Sequence, residues 1–316
     1  MSENEFERIT ELLSELSADE KTRHIAEELS YEFTSLKNKY VREAVRRENR
    51  MRLSDIRRVN EAFEDAIKNE EFLVYYQPKV NLKTYHAEGA EGLCRWMHEG
   101  KLVYPDRFIP ALEYSGKIEE LDFYVLEHVC KDIRRWIDSG KNAVQISVNF
   151  SRINIGKARL LERIIDTIDK YKVPHSYIQV ELTETFTEVE FDDLRDLLLG
   201  LRDAGISTAV DDFGTGYSSL KLISELPWNV LKIDKSLLHE AEREGSNEHL
   251  MLRHIIGMVL DMGMECVVEG VETQNDVRIL KDNKCFMAQG YYFDKPIACS
   301  EFEQVLERSG SNKKKQ

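Results

Sequence analysis

Six apolar runs in this chain each close on a polar side chain, and that recurrence limits the fold more than any other feature. Ile146–Phe150 presents Asn149, Ile178–Glu184 presents Glu181 and Glu184, and Ser207–Asp212 presents Asp211 and Asp212. Val230–Asp234 then presents Lys232 and Asp234, Cys266–Glu272 presents Glu269 and Glu272, and Phe286–Gly290 presents Gln289. Helix-like stretches, among them Glu162–Tyr171, Phe191–Ala204, His249–Met262 and Thr273–Asp282, lie between the runs. Strand and helix alternating in this way, with polar chemistry at the C-terminal ends of the strands, predict an α/β fold of the (β/α)8 TIM-like barrel type.

Side-chain parity agrees, because strand residues two apart face the same way. Val230, Lys232 and Asp234 share one face, Leu231 and Ile233 the other; Val267 goes with Glu269, and Ala209 with Asp211. The polar tips can therefore converge on the barrel mouth. Near the start of the barrel, Phe72–Val80 and Ala87–Trp96 are separated by a short connector, which predicts an antiparallel hairpin and so one reversed strand.

The pair Asp211 and Asp212, followed at once by a glycine turn, carries the most chemistry. Adjacent carboxylates at a strand end repel each other and lose hydration, so the arrangement is tolerable with a cation between them or with one of them protonated. A hard divalent metal is the natural guest.

Length and composition bound the rest. A chain of 316 residues holds one barrel of about 250 residues and an appendage. A hydrophobic content of 42% supplies a core, and no apolar run reaches the roughly 18 residues of a membrane span. The start, MSENEFERI, lacks the basic and apolar regions of a secretory signal, so cytoplasmic residence is expected. Five cysteines without CxxC spacing read as buried free thiols. A formal charge of -14 argues against a polymeric nucleic acid as partner.

Residues 1–53 read as a helical linker, signalling or dimerisation segment. Ser17 with Glu20 resembles a capping box, and Ile25, Leu29, Phe33, Leu36 and Tyr40 form one apolar stripe that needs a partner. The arginine-rich run Arg42–Arg58 reads as a solvated helix face. Ser54–Asn69 reads as a second helix that opens the barrel domain, 54–309, and 310–316, with three consecutive lysines, as a disordered tail.

The runs YYQPKV (75–80), GAEGLCRW (89–96), FIPALEYSGKI (108–118), SVNFS (147–151), ELTE (181–184), DDFGTGYSSL (211–220), LKIDKS (231–236), VEGVET (268–273) and AQGYYFDKP (288–296) together resemble the EAL-domain family of cyclic di-GMP phosphodiesterases. The resemblance implies two divalent cations, Mg2+ or Mn2+, with Glu91, Asn149, Glu181, Asp211 and Asp212 as ligands and Asp211 as the bridge. It implies Lys232 against the attacking water or a phosphate oxygen, Glu269 as second-metal ligand or general base, and Glu184 as the anchor of the Asp-Asp-Phe-Gly loop. Gln77, Leu93, Arg95, Glu272 and Gln289 fall to the substrate pocket, Arg95 as the phosphate contact.

Chemistry agrees with that assignment. Hydrolysing a phosphodiester needs a water of lowered pKa and neutralised phosphoryl and leaving oxygens, which two cations about 3.5–4 Å apart supply together. Carboxylates plus one amide suit magnesium or manganese rather than zinc. Two departures stand out: Gly92 and Cys94 replace the usual alanine and leucine, and Asp276 stands where the family often has glutamine and reads as a helix cap.

The function implied is metal-dependent hydrolysis of cyclic di-GMP to linear pGpG in bacterial second-messenger signalling, by a homodimer coupled through its amino-terminal helices to a sensor or signalling partner. The alternative is a catalytically inactive EAL-type receptor, which would have lost a metal ligand, the anchoring glutamate or the lysine. All are present here. An enolase-type barrel would use a single metal and leaves the DDFGTG and LKID pair unexplained. The His-Asp phosphodiesterases are excluded, since none of the eight histidines precedes an aspartate.

Overall fold

A computed structural model describes residues 53–183, 191–214, 220–240 and 246–313, with side chains omitted at 239–240 and 310–313. The apolar stripe Ile25–Tyr40, Glu184, residues 215–219 of the DDFGTGYSSL run and the end of the tail lie outside the described residues. The chain divides into two units, Met1–Glu61 and Ala62–Gln316; the first is described only from 53, where a helix over 53–68 begins.

The second unit is a closed barrel. Its strands are β1 (Phe72–Asn81), β2 (His86–His98), β4 (Gln145–Asn149), β5 (Ile178–Thr183), β6 (Ser207–Phe213), β7 (Val230–Ile233), β8 (Glu265–Val268) and β9 (Met287–Ala288), with β3 (Lys101–Val103) and β10 (Ile297–Ala298) on the outside. From β2 through β9 successive barrel strands are parallel, and β1 closes the ring antiparallel to both β2 and β9. The expected hairpin is this β1–β2 pair, and β1 is the expected reversed strand.

Parity decides what fills the barrel. Ala209, Val230 and Val267 are buried in one cluster with Met287 packed on it, and each lies two residues before a polar side chain of the mouth: Asp211, Lys232, Glu269 and Gln289. The same alternation thus builds an apolar floor and a polar rim. Outward-facing residues of β1 anchor two aromatic clusters on the helical layer. Phe72 meets Phe63, Trp96, Phe108 and Tyr124 at ring-centroid separations of 5.7, 5.3, 5.6 and 6.2 Å. Tyr76 packs between Trp136 of helix Ile118–Asp138 and Phe302 of helix Cys299–Lys313, at 5.3 and 5.2 Å. Fully burying side chains of this size contributes about 1.5–3 kcal/mol each.

Several elements are shorter than the sequence pattern. β8 stops at Val268 because Gly270 adopts φ +62° and its α-carbon lies so close to Lys235 that a Cβ there would clash. Glu269, two residues past Val267, reaches the mouth with its N–H donating to the Ile233 carbonyl at 2.9 Å. Helix Gln274–Asp282 starts on a capping box, with Thr273 Oγ1 accepting from the Asp276 N–H and Asp276 Oδ2 accepting from the Thr273 N–H, so the expected role of Asp276 as a cap holds. Helix Ile118–Asp138, the longest described, has no counterpart among the elements predicted from sequence. All five cysteines are free, with Cys94, Cys130, Cys266 and Cys285 buried and Cys299 half-buried.

Candidate active site

Each polar strand end arrives at the mouth from a different direction. Glu91 on β2 is held on both oxygens: Asn149 Nδ2, at the end of β4, donates to Oε1 at 2.7 Å, and Gln289 Nε2, just past β9, donates to Oε2 at 2.8 Å. Gln289 Nε2 also donates to Gln77 Oε1 at 3.0 Å, and Gln77 Nε2 to the Asp294 carbonyl at 3.3 Å. With both its amide protons directed at acceptors, Gln289 leaves its own Oε1 buried and unpartnered.

Lys232 stands at the centre. Its Nζ lies 2.7 Å from Glu181 Oε2, 2.7 Å from Glu269 Oε1, 2.9 Å from Asp211 Oδ1 and 3.3 Å from Glu91 Oε2. An ammonium has three protons, so it cannot satisfy four carboxylates. Glu181 is fully buried, Lys232 1% exposed, Glu91 5% and Asp211 8%, which leaves several negative charges under-compensated where water cannot reach them.

Proton affinities record the strain. Burial opposes ionisation of Glu181, but Lys232 and Lys79 overcome it and hold its carboxyl at about 2. Asp211 is pushed well above the usual carboxylate range by burial, against the pull of Lys232 and with repulsion from Glu181, Glu269 and Glu91. Glu269 and Asp212 are raised, both chiefly by burial. Burial counts against the charged form of Lys232, yet its ring of carboxylates raises it well above the ordinary lysine value.

Asp212 shows how local backbone overrides simple alternation. Strict parity would turn it away from Asp211, but the register between β6 and β7 shifts between Val210 and Phe213, and Asp212 takes φ +58°. A bulge of this kind re-aims a side chain. Its backbone N–H donates to Asp211 Oδ1 at 2.9 Å.

Two groups of carboxylates result. Glu91, Glu181 and Asp211 offer oxygens within 4.8 Å of one another, and so do Asp211, Asp212 and Glu269. Asp211 belongs to both. All donors are oxygens and the charge is in deficit of cations, so the residues fit two hard divalent ions sharing one bridging carboxylate.

The remaining expected residues are placed as follows. Asn149 is brought beside Glu91, and the loop after it is tied down where Ser151 N and Asn154 Nδ2 both donate to Asp122 Oδ2 at 2.8 Å. Burial pushes the Asp122 carboxyl up to about 8. Arg95 shares a face of β2 with Glu91 and half-buried Leu93; it donates to the Cys94 carbonyl and lies 5.4 and 6.0 Å from the Tyr104 and Tyr75 ring centroids. Glu272 is exposed past β8, its N–H donating to Asp276 Oδ2. Gly92 is close-packed, since a Cβ there would stand 3.1 Å from Val129 Cγ2 and 3.3 Å from the Ser147 carbonyl. Glu184 lies outside the described residues.

Sequence reasoning missed Lys79. Its Nζ donates to Glu181 Oε1 at 2.7 Å and Gln179 Oε1 at 2.9 Å. Parity on β1 was the available signal, because Lys79 shares the inward face with Gln77.

Comparisons with known proteins point one way. Residues 60–296 match the family described as EAL domain. The chain is 32% identical over 249 residues to the cyclic di-GMP phosphodiesterase NbdA of Pseudomonas aeruginosa, covering 78% of this chain and 32% of that protein. It is 30% identical over 242 residues to the bifunctional diguanylate cyclase/cyclic di-GMP phosphodiesterase MucR of the same organism, covering 76% and 35%. The chain thus spans about a third of the length of these curated relatives. Among solved structures, the PaMucR phosphodiesterase in complex with c-di-GMP superposes with a TM-score of 0.71 at 28% identity, over 78% of this chain and 99% of that one. An EAL domain protein from Listeria monocytogenes superposes with a TM-score of 0.68, also at 28% identity, over 78% and 96%.

Proposed function

Because the chain belongs to the EAL domain family, we propose that it is a metal-dependent phosphodiesterase that opens cyclic di-GMP to linear pGpG. The observation that carries this reading is the pair of carboxylate groups sharing Asp211 around one over-subscribed lysine. Glu91, Asn149, Glu181 and Asp211, and Asp211 with Asp212, would hold two divalent cations, Mg2+ or Mn2+, which when bound would lower the pKa of water and neutralise the phosphoryl and leaving oxygens.

The chain's own groups do the rest. Glu269, raised above the ordinary carboxylate value chiefly by burial, is suited to taking a proton from the attacking water. Lys232 faces that water or a phosphate oxygen and offsets charge that develops there. Arg95 meets the phosphate at the rim, and Gln77, Leu93, Glu272 and Gln289 line the pocket, with the free Gln289 Oε1 available to a substrate donor. From the resemblance we infer that Glu184 serves to anchor the loop that bears Asp211 and Asp212.

Purified protein incubated with cyclic di-GMP and Mg2+ or Mn2+, with the nucleotides resolved by chromatography, tests this directly. Appearance of pGpG supports it. Cyclic di-GMP that binds but stays intact would instead make the chain an EAL-type receptor.

Barrel residues 54–309 carry this chemistry, and 1–53 carry assembly or signalling as a homodimer. Among the described residues no helix is long and apolar enough to cross a membrane, and the proposed setting is the cytoplasm. Light scattering on the whole chain and on one starting at Arg52 checks the assembly role. A whole chain that is monomeric at micromolar concentration and fully active defeats it.

A further inference from the structure

Glu181 has two carboxylate oxygens, and each meets a different lysine. Lys232 Nζ lies 2.7 Å from Oε2, whereas Lys79 Nζ donates to Oε1 from 2.7 Å. Lys79 reaches that position because β1 runs against the other barrel strands: Gln77 pairs with Glu91 at the mouth, and Lys79, two residues on, pairs with Gly89, deeper toward the floor. There its Nζ also donates to Gln179 Oε1 at 2.9 Å. Gln179 is itself fixed, since its Nε2 donates to Gln145 Oε1 and Ser207 Oγ at 3.3 and 3.1 Å. The Lys79 and Glu181 side chains are 7% and 0% exposed, so this clamp operates without water.

We propose that Lys79 is a positioning residue that sets which divalent cation the Glu181 group accepts, by occupying Oε1 from the floor side and leaving Oε2, the oxygen that Lys232 faces at the mouth, as the one that can turn to a cation. A carboxylate restricted to one oxygen suits Mg2+, which demands a tight octahedral shell and seldom needs both oxygens of one side chain. Ca2+ is larger, takes more oxygens and favours bidentate carboxylates. With Oε1 held, the site denies Ca2+ a contact that Mg2+ does not need. The inference rests on the metal-site reading above and goes beyond it, because no ligand role is assigned to Lys79.

The test is made on chelator-stripped protein without substrate, so that it does not depend on hydrolysis. Mn2+ is bound first and followed by electron paramagnetic resonance, then displaced by Mg2+ or by Ca2+ in wild type, Lys79→Met and Lys79→Arg, with circular dichroism on each. Removing a positive charge raises affinity for every divalent ion, so the ratio of the two displacement constants is read rather than either constant. Lys79→Met should shift the ratio toward Ca2+ by about tenfold, the scale of losing a second-layer partner of a metal ligand, and Lys79→Arg should restore it toward wild type. If Lys79→Met does not fold, Gln179→Leu, which releases the second anchor of Lys79, should move the ratio the same way. A folded variant with an unchanged ratio overturns the proposal while leaving the metal site standing. Wild type that binds no Mn2+ overturns both.

Discussion

The barrel mouth and the seam between helix Ile118–Asp138 and helix Cys299–Lys313 are both built with acidic side chains, and they treat them in opposite ways. At the seam Glu303 accepts from Arg135 Nη2 at 3.0 Å and Trp136 Nε1 at 3.1 Å, and Lys141 lies 3.1 Å away. Burial disfavours its charge, but Arg135, Lys141 and Trp136 together keep its carboxyl below the ordinary value. At the mouth one lysine faces four carboxylates, and Asp211, Asp212 and Glu269 are all driven upward. An acid matched by cations serves the fold. Acids in excess, buried and convergent, suit a further cation.

The largest effect separates the two regions by chemistry alone. Exhaustive chelation should abolish turnover, because Lys232 and Lys79 are too few to offset the carboxylates gathered at the mouth, and it should leave the seam and the far-ultraviolet dichroism intact. Mg2+ or Mn2+ should restore activity, whereas Ca2+ should bind and support little. Turnover that survives chelation would break the contrast at its root.

The reverse experiment attacks the seam. Trp136 is fully buried between Tyr76 and Phe302, and Trp136→Ala should destabilise the protein by about 3–5 kcal/mol, as large-to-small core changes do. Turnover per folded molecule should stay near wild type. Denaturant unfolding followed alongside the nucleotide assay measures both, and a loss of turnover larger than the loss of folded protein would join seam and mouth into one unit.

Asp211→Asn should invert that outcome. Removing the bridging carboxylate should lower turnover by at least about a hundredfold, the scale of one transition-state electrostatic contact. In metal-free protein it should not lower stability, because it also removes one of the mutually repelling charges. A folded Asp211→Asn enzyme with wild-type rates would show that the metal site has been placed on the wrong residues.

The difference between the regions also explains what the sequence could tell. Alternation along β6, β7 and β8 follows directly from residue order, so the sequence alone aims Asp211, Lys232 and Glu269 at the mouth. Asp212 could not be aimed by parity, since its direction depends on a bulge and a positive φ that no periodicity encodes; its adjacency to Asp211 at a strand end was the signal that singled it out. Lys79 lay in plain view on the inward face of β1, but its contact with Glu181 joins residues 102 apart and depends on the reversed strand lowering it into the barrel. Trp136 and Glu303 meet across 167 residues, and no local pattern announces the seam.

The smallest effect is the most discriminating, because it has a sign in each region. A carboxyl whose folded pKa is depressed binds fewer protons folded than unfolded, so it contributes stability above its unfolded value and loses it as pH falls through the folded value. Glu303 is such a group, shifted down from 4.5. Glu303→Gln should therefore cost about 0.5–1.5 kcal/mol near neutrality, the worth of its partly exposed hydrogen bonds, and progressively less as pH falls below 4.5 through the lowered value. Asp211, raised above 3.8, has the opposite linkage in metal-stripped protein: the folded chain binds the extra proton and gains stability as pH falls through the raised value. Asp211→Asn should then be more stable than wild type in alkaline solution, with the advantage shrinking on acidification. Denaturant midpoints for the two variants across pH should diverge from wild type in opposite directions, and two differences of the same sign would mean that mouth and seam hold their acids alike.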